Sequence, residues 1–289
     1  MKILNVGSIN VDHVYSVPHF VNPGETIGAT GYRVFSGGKG FNQSIALARA
    51  GAGVLHAGQI GKDGEWLAEE LRRNGVDTTH VALSDEATGH ALIQVAPSGE
   101  NAIVVHGGAN QTIAPHDIER AIASCAPGDC LLVQNETNGV AGAILAASAR
   151  GMRVVLNPAP MNDAIHAYPL DRVDLFILNT TEAHGLTGQS APDAVGAVMS
   201  QRFPRAATIL TMGEGGAAYL HAGTLLHQPA TAVNAVDTTA AGDTFVGYFL
   251  ASFLRDGDAS RALAAGCRAS AVCVTRPGAS SSIPHRNEL

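Results

Sequence analysis

Four consecutive residues, Ala240, Ala241, Gly242 and Asp243, combine the small side chains and the carboxylate of an anion-binding catalytic site. After them, from Phe245 to Phe253, large apolar residues recur at helical spacing. Small residues before a helix let backbone N–H groups approach an anion, and the helix dipole adds positive potential there. Asp243 would lie beside that anion as a catalytic base. An Asp here can also be a mere helix cap, but the ten surrounding residues favour the catalytic interpretation.

A second glycine-rich segment, Ser36–Gln43, also opens a predicted helix. It is not a phosphate-binding P-loop, because Arg33 occupies the first glycine position and Gly40 follows Lys39 where Ser or Thr is required. What remains is a turn whose backbone can approach a ligand, with Lys39 and Asn42 offering polar contacts. A plain turn is the alternative interpretation of this segment.

A third segment, Gly213–Ala218, matches the glycine spacing of a dinucleotide-binding fingerprint after a strand. That fingerprint must open a helix, whereas Ala217–Ala222 and Thr224–His227 are typical of two strands joined by a Gly turn. The sequence therefore argues against a nicotinamide-dependent dehydrogenase. A loop that holds the phosphates of a nucleotide remains open.

Polar residues stand where several predicted strands end. Asn10 and Asp12 follow the first strand, Glu136 follows another, and Asn179 with Glu182 follow a third. In an open α/β sheet the ligand lies outside the carboxyl ends of the strands, so these five residues are candidates for one site. Any one of them alone is equally compatible with a solvated loop or a helix cap.

The elements that position these residues alternate between short apolar runs and Ala-rich amphipathic segments. This alternation predicts an α/β fold: a doubly wound, mainly parallel sheet flanked by helices. The predicted strands are Ile3–Gly7, Val54–Ile60, Leu131–Gln134, Val154–Leu156, Leu175–Leu178 and Thr208–Thr211. The predicted helices include Phe41–Ala50, Gly64–Asn74, Gly139–Arg150 and Ala191–Gln201.

Two regions, about 12–35 and 89–106, break that alternation and predict two hairpins with half-exposed strands. A small antiparallel sheet of this kind could cover a substrate as a lid. Because no linker, repeat or low-complexity tract occurs, we expect residues 1–289 to form a single domain with this lid. Open strand edges invite partners, so a homodimer through the lid sheet is a hypothesis.

Composition excludes several classes of function. With a net charge of −7, the 289-residue chain has no basic footprint for nucleic acid or an anionic membrane. No apolar run is long enough for a signal peptide or a membrane span, which predicts a cytoplasmic protein. The four cysteines form no C-x-x-C pair and are expected to be buried, reduced and unreactive.

Taken together, these segments resemble the ribokinase branch of the PfkB carbohydrate kinase family. The resemblance covers nearly the whole chain and rests on four motifs in the family's order: Gly7–Asp12, Gly37–Gln43, Asn157–Pro160 and Asp237–Phe245. It implies a ribokinase-like fold and ATP-dependent phosphorylation of a sugar hydroxyl, with D-ribose converted to ribose 5-phosphate as the first expectation. Another sugar or a nucleoside as acceptor, and a non-catalytic sugar-binding sensor, are the alternatives.

The resemblance also implies roles for individual residues. Asp243 would be the catalytic base, with Ala240, Ala241 and Gly242 donating N–H groups to the transferring phosphate. The sugar would be held by Asn10, Asp12, Gly38, Lys39, Asn42, Glu136 and Asp243. ATP would be bound by Asn179, Glu182, Thr211, Gly213, Gly216, Gly242 and Cys267, with Mg²⁺ near Asn179 and Glu182.

A monovalent cation, usually K⁺ in the family, is implied at Asp237, Thr239, Cys273, Arg276, Gly278 and Ser282, in part through backbone carbonyls. Three positions depart from the family pattern. Thr180–Thr181 stand inside the N-x-x-E motif, Cys267 stands where a histidine often contacts adenine, and Phe41 replaces an alanine of the sugar loop. These departures bear on nucleotide preference and on the exact sugar.

Overall fold

The main sheet of the protein has nine strands in the order β13-β12-β11-β10-β9-β8-β1-β4-β5. The computed structural model describes all 289 residues. Seven neighbouring strands, from β11 to β5, pair in parallel, and β12 and β13 add an antiparallel edge. Their bounds are Ile3–Val6 (β1), Val54–Ile60 (β4), Asp77–Leu83 (β5), Cys130–Val133 (β8), Arg153–Leu156 (β9), Leu175–Asn179 (β10), Ala207–Thr211 (β11), Ala217–His221 (β12) and Thr224–Gln228 (β13).

Eight α-helices flank this sheet, and two hydrophobic clusters lie on its opposite faces. One cluster contains Phe41, Leu67, Phe249 and Leu263, which come from α1, α2, α7 and α8. The other contains side chains from α3, α4, α5 and α6. The helices are Lys39–Arg49 (α1), Glu65–Arg73 (α2), Pro115–Ala123 (α3), Val140–Ala149 (α4), Thr180–Thr187 (α5), Pro192–Arg202 (α6), Ala241–Asp256 (α7) and Ala259–Val274 (α8).

This double coverage explains why the central strands are buried along their whole length and are mostly apolar. All residues of β1, β4 and β8 are buried, as the consecutive apolar runs predicted. From β1 the chain proceeds to β4 and β5 on one side, and later to β8 through β11 on the other. The strand order therefore reverses beside β1, which places the ligand-binding crevice of such a sheet at the carboxyl ends of β1 and β8.

A separate four-stranded sheet, the lid, contains Asn10–Ser16 (β2), Gly31–Gly37 (β3), Gly89–Val95 (β6) and Asn101–His106 (β7). The two predicted hairpins are present as antiparallel pairs β2–β3 and β6–β7. They are joined by a parallel pairing between β2 and β6. Strand β2 begins at Asn10 and β3 ends at Gly37, so the candidate sugar residues lie where the lid leaves the main sheet.

Two predictions about the surroundings of the site can be compared directly with the fold. The residues after Gly216 form the antiparallel pair β12–β13, as predicted, so the glycine-rich segment 213–218 does not open a helix. All four cysteines are free thiols and are buried. No helix of the structure is both long and apolar enough to cross a membrane.

Candidate active site

Asp243 lies in the first turn of α7, where it is almost completely buried at 8% exposure. Both of its carboxylate oxygens accept hydrogen bonds from side-chain amides of α1. Asn42 Nδ2 donates to Oδ2 over 3.1 Å, and Gln43 Nε2 donates to Oδ1 over 2.9 Å. Burial raises the pKa of Asp243 above its usual value, with a smaller contribution from the charge of Glu136, although Lys39 and the two amide donors oppose the rise. The helix thus presents an oriented carboxylate in a largely dehydrated position.

The N-terminus of α7 carries backbone N–H groups that are free to bind an anion. Ala240 adopts a left-handed conformation with φ of 60°, which costs a non-glycine residue about 1–2 kcal/mol. The N–H groups of Ala240, Gly242 and Asp243 have no acceptor in the protein, whereas the N–H of Ala241 donates to Thr238 O at 3.2 Å. Of the three expected donors, Ala240 and Gly242 are therefore available and Ala241 is already occupied.

The glycine-rich turn before α1 packs against the end of β1. Gly38 has φ of 90°, and a Cβ there would lie 3.1 Å from Ser8 O, so only glycine fits without strain. Glu136 Oε2 accepts from the backbone N–H of Lys39 at 2.9 Å and from Ser8 Oγ at 2.5 Å. The carboxylate after β8 therefore fixes the turn that presents Lys39.

Asp12 and Asn10 approach this turn from the lid strand β2. Asn10 is buried, and its Oδ1 accepts from Asn110 Nδ2 at 2.7 Å. Burial, together with the negative charges of Glu136 and Asp243, raises the pKa of Asp12 to about 7. Three carboxyl groups from the lid, β8 and α7 thus share one electrostatic environment.

Lys39 is the cation that faces these carboxylates. Burial by itself lowers the pKa of Lys39, but the charges of Asp243, Glu136 and Glu182 outweigh burial and raise it above its usual value. An ammonium group held among several acids stays charged and can neutralise an incoming anion. Lys39 therefore gives the site a positive charge, in addition to the polar contact that the sequence predicted.

A cavity of about 260 Å³ opens between the N-terminus of α7 and the ends of β10 and β11. It brings together seven residues that the sequence proposed on separate grounds: Lys39, Asn179, Glu182, Thr211, Ala240, Gly242 and Asp243. A Cβ added to Gly242 would meet nothing within 4 Å, so its backbone faces open space.

Asn179 and Glu182 form a capping box at the start of α5. Asn179 Oδ1 accepts from Glu182 N at 2.8 Å, and Glu182 Oε2 accepts from Asn179 N at 2.8 Å. Burial raises the pKa of Glu182, whereas the hydrogen bond from Asn179 and the charge of Lys39 lower it. The pair therefore caps a helix and also lines the cavity, so both interpretations of the sequence apply.

Comparison with known proteins agrees with this geometry. Residues 1–286 match the family model of the pfkB family carbohydrate kinases. The chain belongs to this family. It is 41% identical to a ribokinase of Haemophilus influenzae, covering 99% of this chain and 97% of that protein. It is 33% identical to a deoxyribokinase of Salmonella typhi, covering 98% and 96%.

Among solved structures, a ribokinase of Arabidopsis thaliana complexed with ribose and ATP superposes with a TM-score of 0.87 at 27% identity. The match covers 99% of this chain and 96% of that one. The protein is accordingly an ATP-dependent kinase of the PfkB carbohydrate kinase family. The cavity beside Asp243 is the natural candidate for the place where the two substrates of such an enzyme meet.

Three residues expected at the nucleotide site of this PfkB kinase do not line the cavity. Gly213 and Gly216 flank it beyond Thr211, and Gly216 meets a purely structural demand. With φ of 83°, a Cβ on Gly216 would lie 2.1 Å from Gln228 O. Cys267 packs into the hydrophobic cluster of α7 and α8, and burial raises the pKa of its thiol to about 11.

Five of the six residues expected to hold a cation are joined by contacts behind the N-terminus of α7. Asp237 Oδ1 accepts from Thr239 N and its Oδ2 accepts from Gly278 N, both at 2.9 Å. Cys273 Sγ contacts Thr239 O at 3.7 Å and Ser282 Oγ at 3.1 Å. The side chain of the sixth, Arg276, instead pairs with Glu288 at 2.7 Å.

Sequence reasoning did not assign roles to Gln43, Asn110 and Asn157, which contact the site residues of this kinase. Gln43 and Asn157 lie within the quoted motifs, so their position was a usable signal. Asn110 lies in a 3₁₀ turn after the lid and had no local signal. Phe41, the unusual residue of the sugar loop, is fully buried in the core and does not line the cavity.

Proposed function

We propose that this PfkB kinase is a ribokinase, which transfers the γ-phosphoryl group of ATP to the 5-hydroxyl of D-ribose. The observation that carries the proposal is the position of Asp243. Its carboxylate is oriented by two amide donors beside a helix N-terminus with free N–H groups, within a cavity that Lys39 also lines. The ribose acceptor is supported by the full-length likeness to the Haemophilus influenzae ribokinase and to the Arabidopsis thaliana structure.

In this proposal the sugar lies between the lid and the carboxyl ends of β1 and β8. One buried atom supports this directly, because Asn42 Oδ1 has no hydrogen-bond partner in the protein. A buried acceptor without a partner is costly unless a ligand donates to it, and a sugar hydroxyl is such a donor. Asn10, Asp12, Gly38, Lys39, Asn42 and Glu136 would provide the remaining contacts.

The phosphates of ATP would enter from the side of β10 and β11. Asn179, Glu182, Thr211 and Gly242 would line their path, with Gly213, Gly216 and Cys267 further out. Glu182 fits a position near Mg²⁺, because a buried carboxylate oxygen in the cavity is the donor type that this ion prefers. When bound, Mg²⁺ would neutralise phosphate charge.

The residues of the chain suggest a direct transfer. Asp243 would accept the hydroxyl proton as the oxygen–phosphorus bond forms, since an alcohol is too weak an acid to be deprotonated beforehand. Such help is worth ~10²–10⁴-fold in rate. The free N–H groups of Ala240 and Gly242, together with Lys39, would stabilise the negative charge on the transferring group.

A monovalent cation site fits the loop behind α7. Asp237 ties Thr239, which precedes the free N–H groups, to Gly278 on the C-terminal loop. The oxygen-rich donor set of backbone carbonyls, Asp237 and Ser282 suits K⁺ better than a transition metal. Bound there, the cation would add positive charge; the residues themselves order the loop that shapes the anion site.

We also propose that residues 1–289 act as one domain and that two copies associate through the lid. The outermost lid strand, β7, exposes three consecutive apolar residues: Ile103 at 51%, Val104 at 67% and Val105 at 60%. An unpaired edge strand with an apolar surface is a common site of association.

The experiment that tests the function is ADP release from Mg-ATP in KCl, with D-ribose beside deoxyribose, fructose and several nucleosides. Turnover that depends on ribose supports the proposal. Turnover with deoxyribose alone, which the likeness to the Salmonella typhi deoxyribokinase makes the foremost alternative, would move the substrate and keep the mechanism. Silence with every acceptor would favour a sugar-binding sensor.

The Asp243→Asn variant tests the assigned base. We expect it to fold normally and to lose at least ~10²-fold in turnover. Circular dichroism checks the fold and ADP release checks the rate. Near-normal activity in this variant would refute the role of Asp243.

A further inference from the structure

Gln43 connects the proposed catalytic carboxylate to the interior of the main sheet. Its side chain is fully buried, and its amide nitrogen donates to Asp243 Oδ1 and to Asn157 Oδ1, both at 2.9 Å. Its amide oxygen accepts from Gln134 Nε2 at 2.7 Å. Both amide hydrogens and the amide oxygen of Gln43 are thus used.

These partners allow only one orientation of the Gln43 amide. If the amide were turned over, its oxygen would face two other acceptors, Asp243 Oδ1 and Asn157 Oδ1. Its nitrogen would then face the donor nitrogen of Gln134. Each of these contacts is repulsive in a dry interior. The hydrogen bond that Gln134 Nε2 donates to Gln43 Oε1 therefore orients the Gln43 amide so that its N–H, and not its oxygen, faces the catalytic carboxylate.

The orientation of Gln134 is fixed in turn by a chain of buried side chains. Gln134 Nε2 also donates to Asn5 Oδ1 at 2.9 Å, and Asn5 Nδ2 donates to Ser44 Oγ at 2.8 Å. Ser44 contacts His56 Nδ1, and His56 Nε2 contacts the carbonyl oxygen of Gly7. Burial lowers the pKa of His56 to about 4, so the ring is neutral. Its single hydrogen lies on Nε2, because the carbonyl oxygen that Nε2 contacts can only accept a hydrogen bond.

The charged groups around Asp243 do not replace this contact. Lys39 on α1, Asp12 on the lid, and Glu136 and Glu182 beyond β8 and β10 all influence the carboxylate electrostatically. None of their side chains hydrogen-bonds Gln43. The other amide donor, Asn42, belongs to the proposed sugar site, so Gln43 is the donor that faces away from the substrates.

We propose that Gln43 is a positioning residue for Asp243, and that Gln134 sets the orientation in which Gln43 acts. The inference rests on the proposed role of Asp243 as base. Gln43 aims the carboxylate and favours its ionised form by donating a hydrogen bond, without a positive charge that would pair with it. Gln134 never touches Asp243 and acts only through Gln43.

The test compares Gln43→Met and Gln134→Met with the wild type and with Gln59→Met. Methionine keeps the length of glutamine and removes both donor and acceptor. Gln59 is a matched control, because it is also a buried glutamine, at 8% exposure, but its Oε1 accepts from Thr112, away from Asp243. For each variant, kcat and KM are measured from pH 5 to 9, together with the thermal midpoint.

A hydrogen bond to a charged group is worth enough to change kcat by about 10–100-fold, so we expect a loss of that size in Gln43→Met. KM for both substrates stays within about twofold, since neither substrate contacts Gln43. The acid limb of the kcat profile moves to higher pH, by about one unit, because the carboxylate has lost a donor. Gln134→Met shows a smaller change of the same sign, and Gln59→Met leaves the profile unchanged.

An acid limb that stays in place in Gln43→Met would overturn the inference, even if the variant is less stable, because a structural role does not move a titration. If Gln43→Met fails to fold, an unmoved limb in Gln134→Met overturns it equally. Asp243→Asn separates the two proposals. An active Asp243→Asn refutes the base itself, whereas an inactive Asp243→Asn with a normal Gln43→Met refutes only the positioning role.

Discussion

Replacing Asp12 with asparagine should stabilise the protein at high pH and leave its stability at low pH unchanged. Burial, with the charges of Glu136 and Asp243 as smaller contributions, raises the pKa of Asp12 from 3.8 to about 7. The folded protein therefore binds this proton at a higher pH than the unfolded chain does. Between pH 4 and 7 the free energy of unfolding consequently falls as the pH rises, and above pH 7 the loss is complete.

The size of the effect follows from the shift. A rise of about three pKa units corresponds to roughly 4 kcal/mol at 1.36 kcal/mol per unit. Asp12 is half-buried, so solvent screening reduces this to about 1–2 kcal/mol. For a chain of this length that is about 3–6 °C in the thermal midpoint. The thermal midpoint of Asp12→Asn should exceed that of the wild type by this amount at pH 8 and should equal it at pH 4.5.

The assay is thermal unfolding from pH 4.5 to 8.5 at constant ionic strength. Asp85→Asn is the control, since it removes the same charge from an exposed position without a hydrogen bond. Sugar binding should weaken by ~10-fold or more in Asp12→Asn alone, because the proposed contact between the sugar and the carboxylate would be lost. An equal gain in stability at both ends of the pH range, or no gain at pH 8, would refute the raised pKa of Asp12 as the cause.

Three further predictions concern the proposed cation site at Asp237, the turn at Gly216 before β12, and the lid strand β7. Asp237→Ala should raise the K⁺ concentration needed for half-maximal activity by at least ~10-fold, because the carboxylate loses its contacts with the backbone N–H groups of Thr239 and Gly278. An unchanged K⁺ response would count against the cation site. Gly216→Ala should lower the free energy of unfolding by ~2–3 kcal/mol, and Gly213→Ala should lower it by ~1 kcal/mol. Both glycines have positive φ, but only Gly216 lacks room for a Cβ. Equal losses of the two variants in denaturant unfolding would contradict this reasoning. Val104→Lys should shift light scattering towards monomer without loss of fold, and a wild-type protein that is already monomeric at working concentration would reject the lid interface.

The lid shows which strand pairings can be predicted from a sequence and which cannot. The alternation of polar and apolar residues predicted both hairpins, and the turn at Pro97–Glu100 supported the second one, because such signals are local. The parallel pairing of β2 with β6 had no local signal, since it joins segments about 80 residues apart. Only the tertiary structure reveals that contact.

The fold class could be predicted from the sequence alone, and so could the convergence of several candidate residues on one cavity. Strand and helix periods repeat over short distances, and the motif around Asp243 places small residues and a carboxylate at one helix start. The strand-end argument predicted that Asn179 and Glu182 belong to one site. Lys39 and Asp243 were added by their glycine-rich helix starts and by the family resemblance, and all four residues line one cavity.

Only the tertiary structure decided how the charges and hydrogen bonds of that site are distributed. Whether Ala241 or Gly242 offers a free N–H depends on the backbone conformation at Ala240. The contact between Gln43 and Asp243 joins residues 200 positions apart. The raised pKa of Asp12 requires the partial burial of its carboxyl group and the nearby charges of Glu136 and Asp243. Distance and burial set these energies, and neither is a property of local sequence.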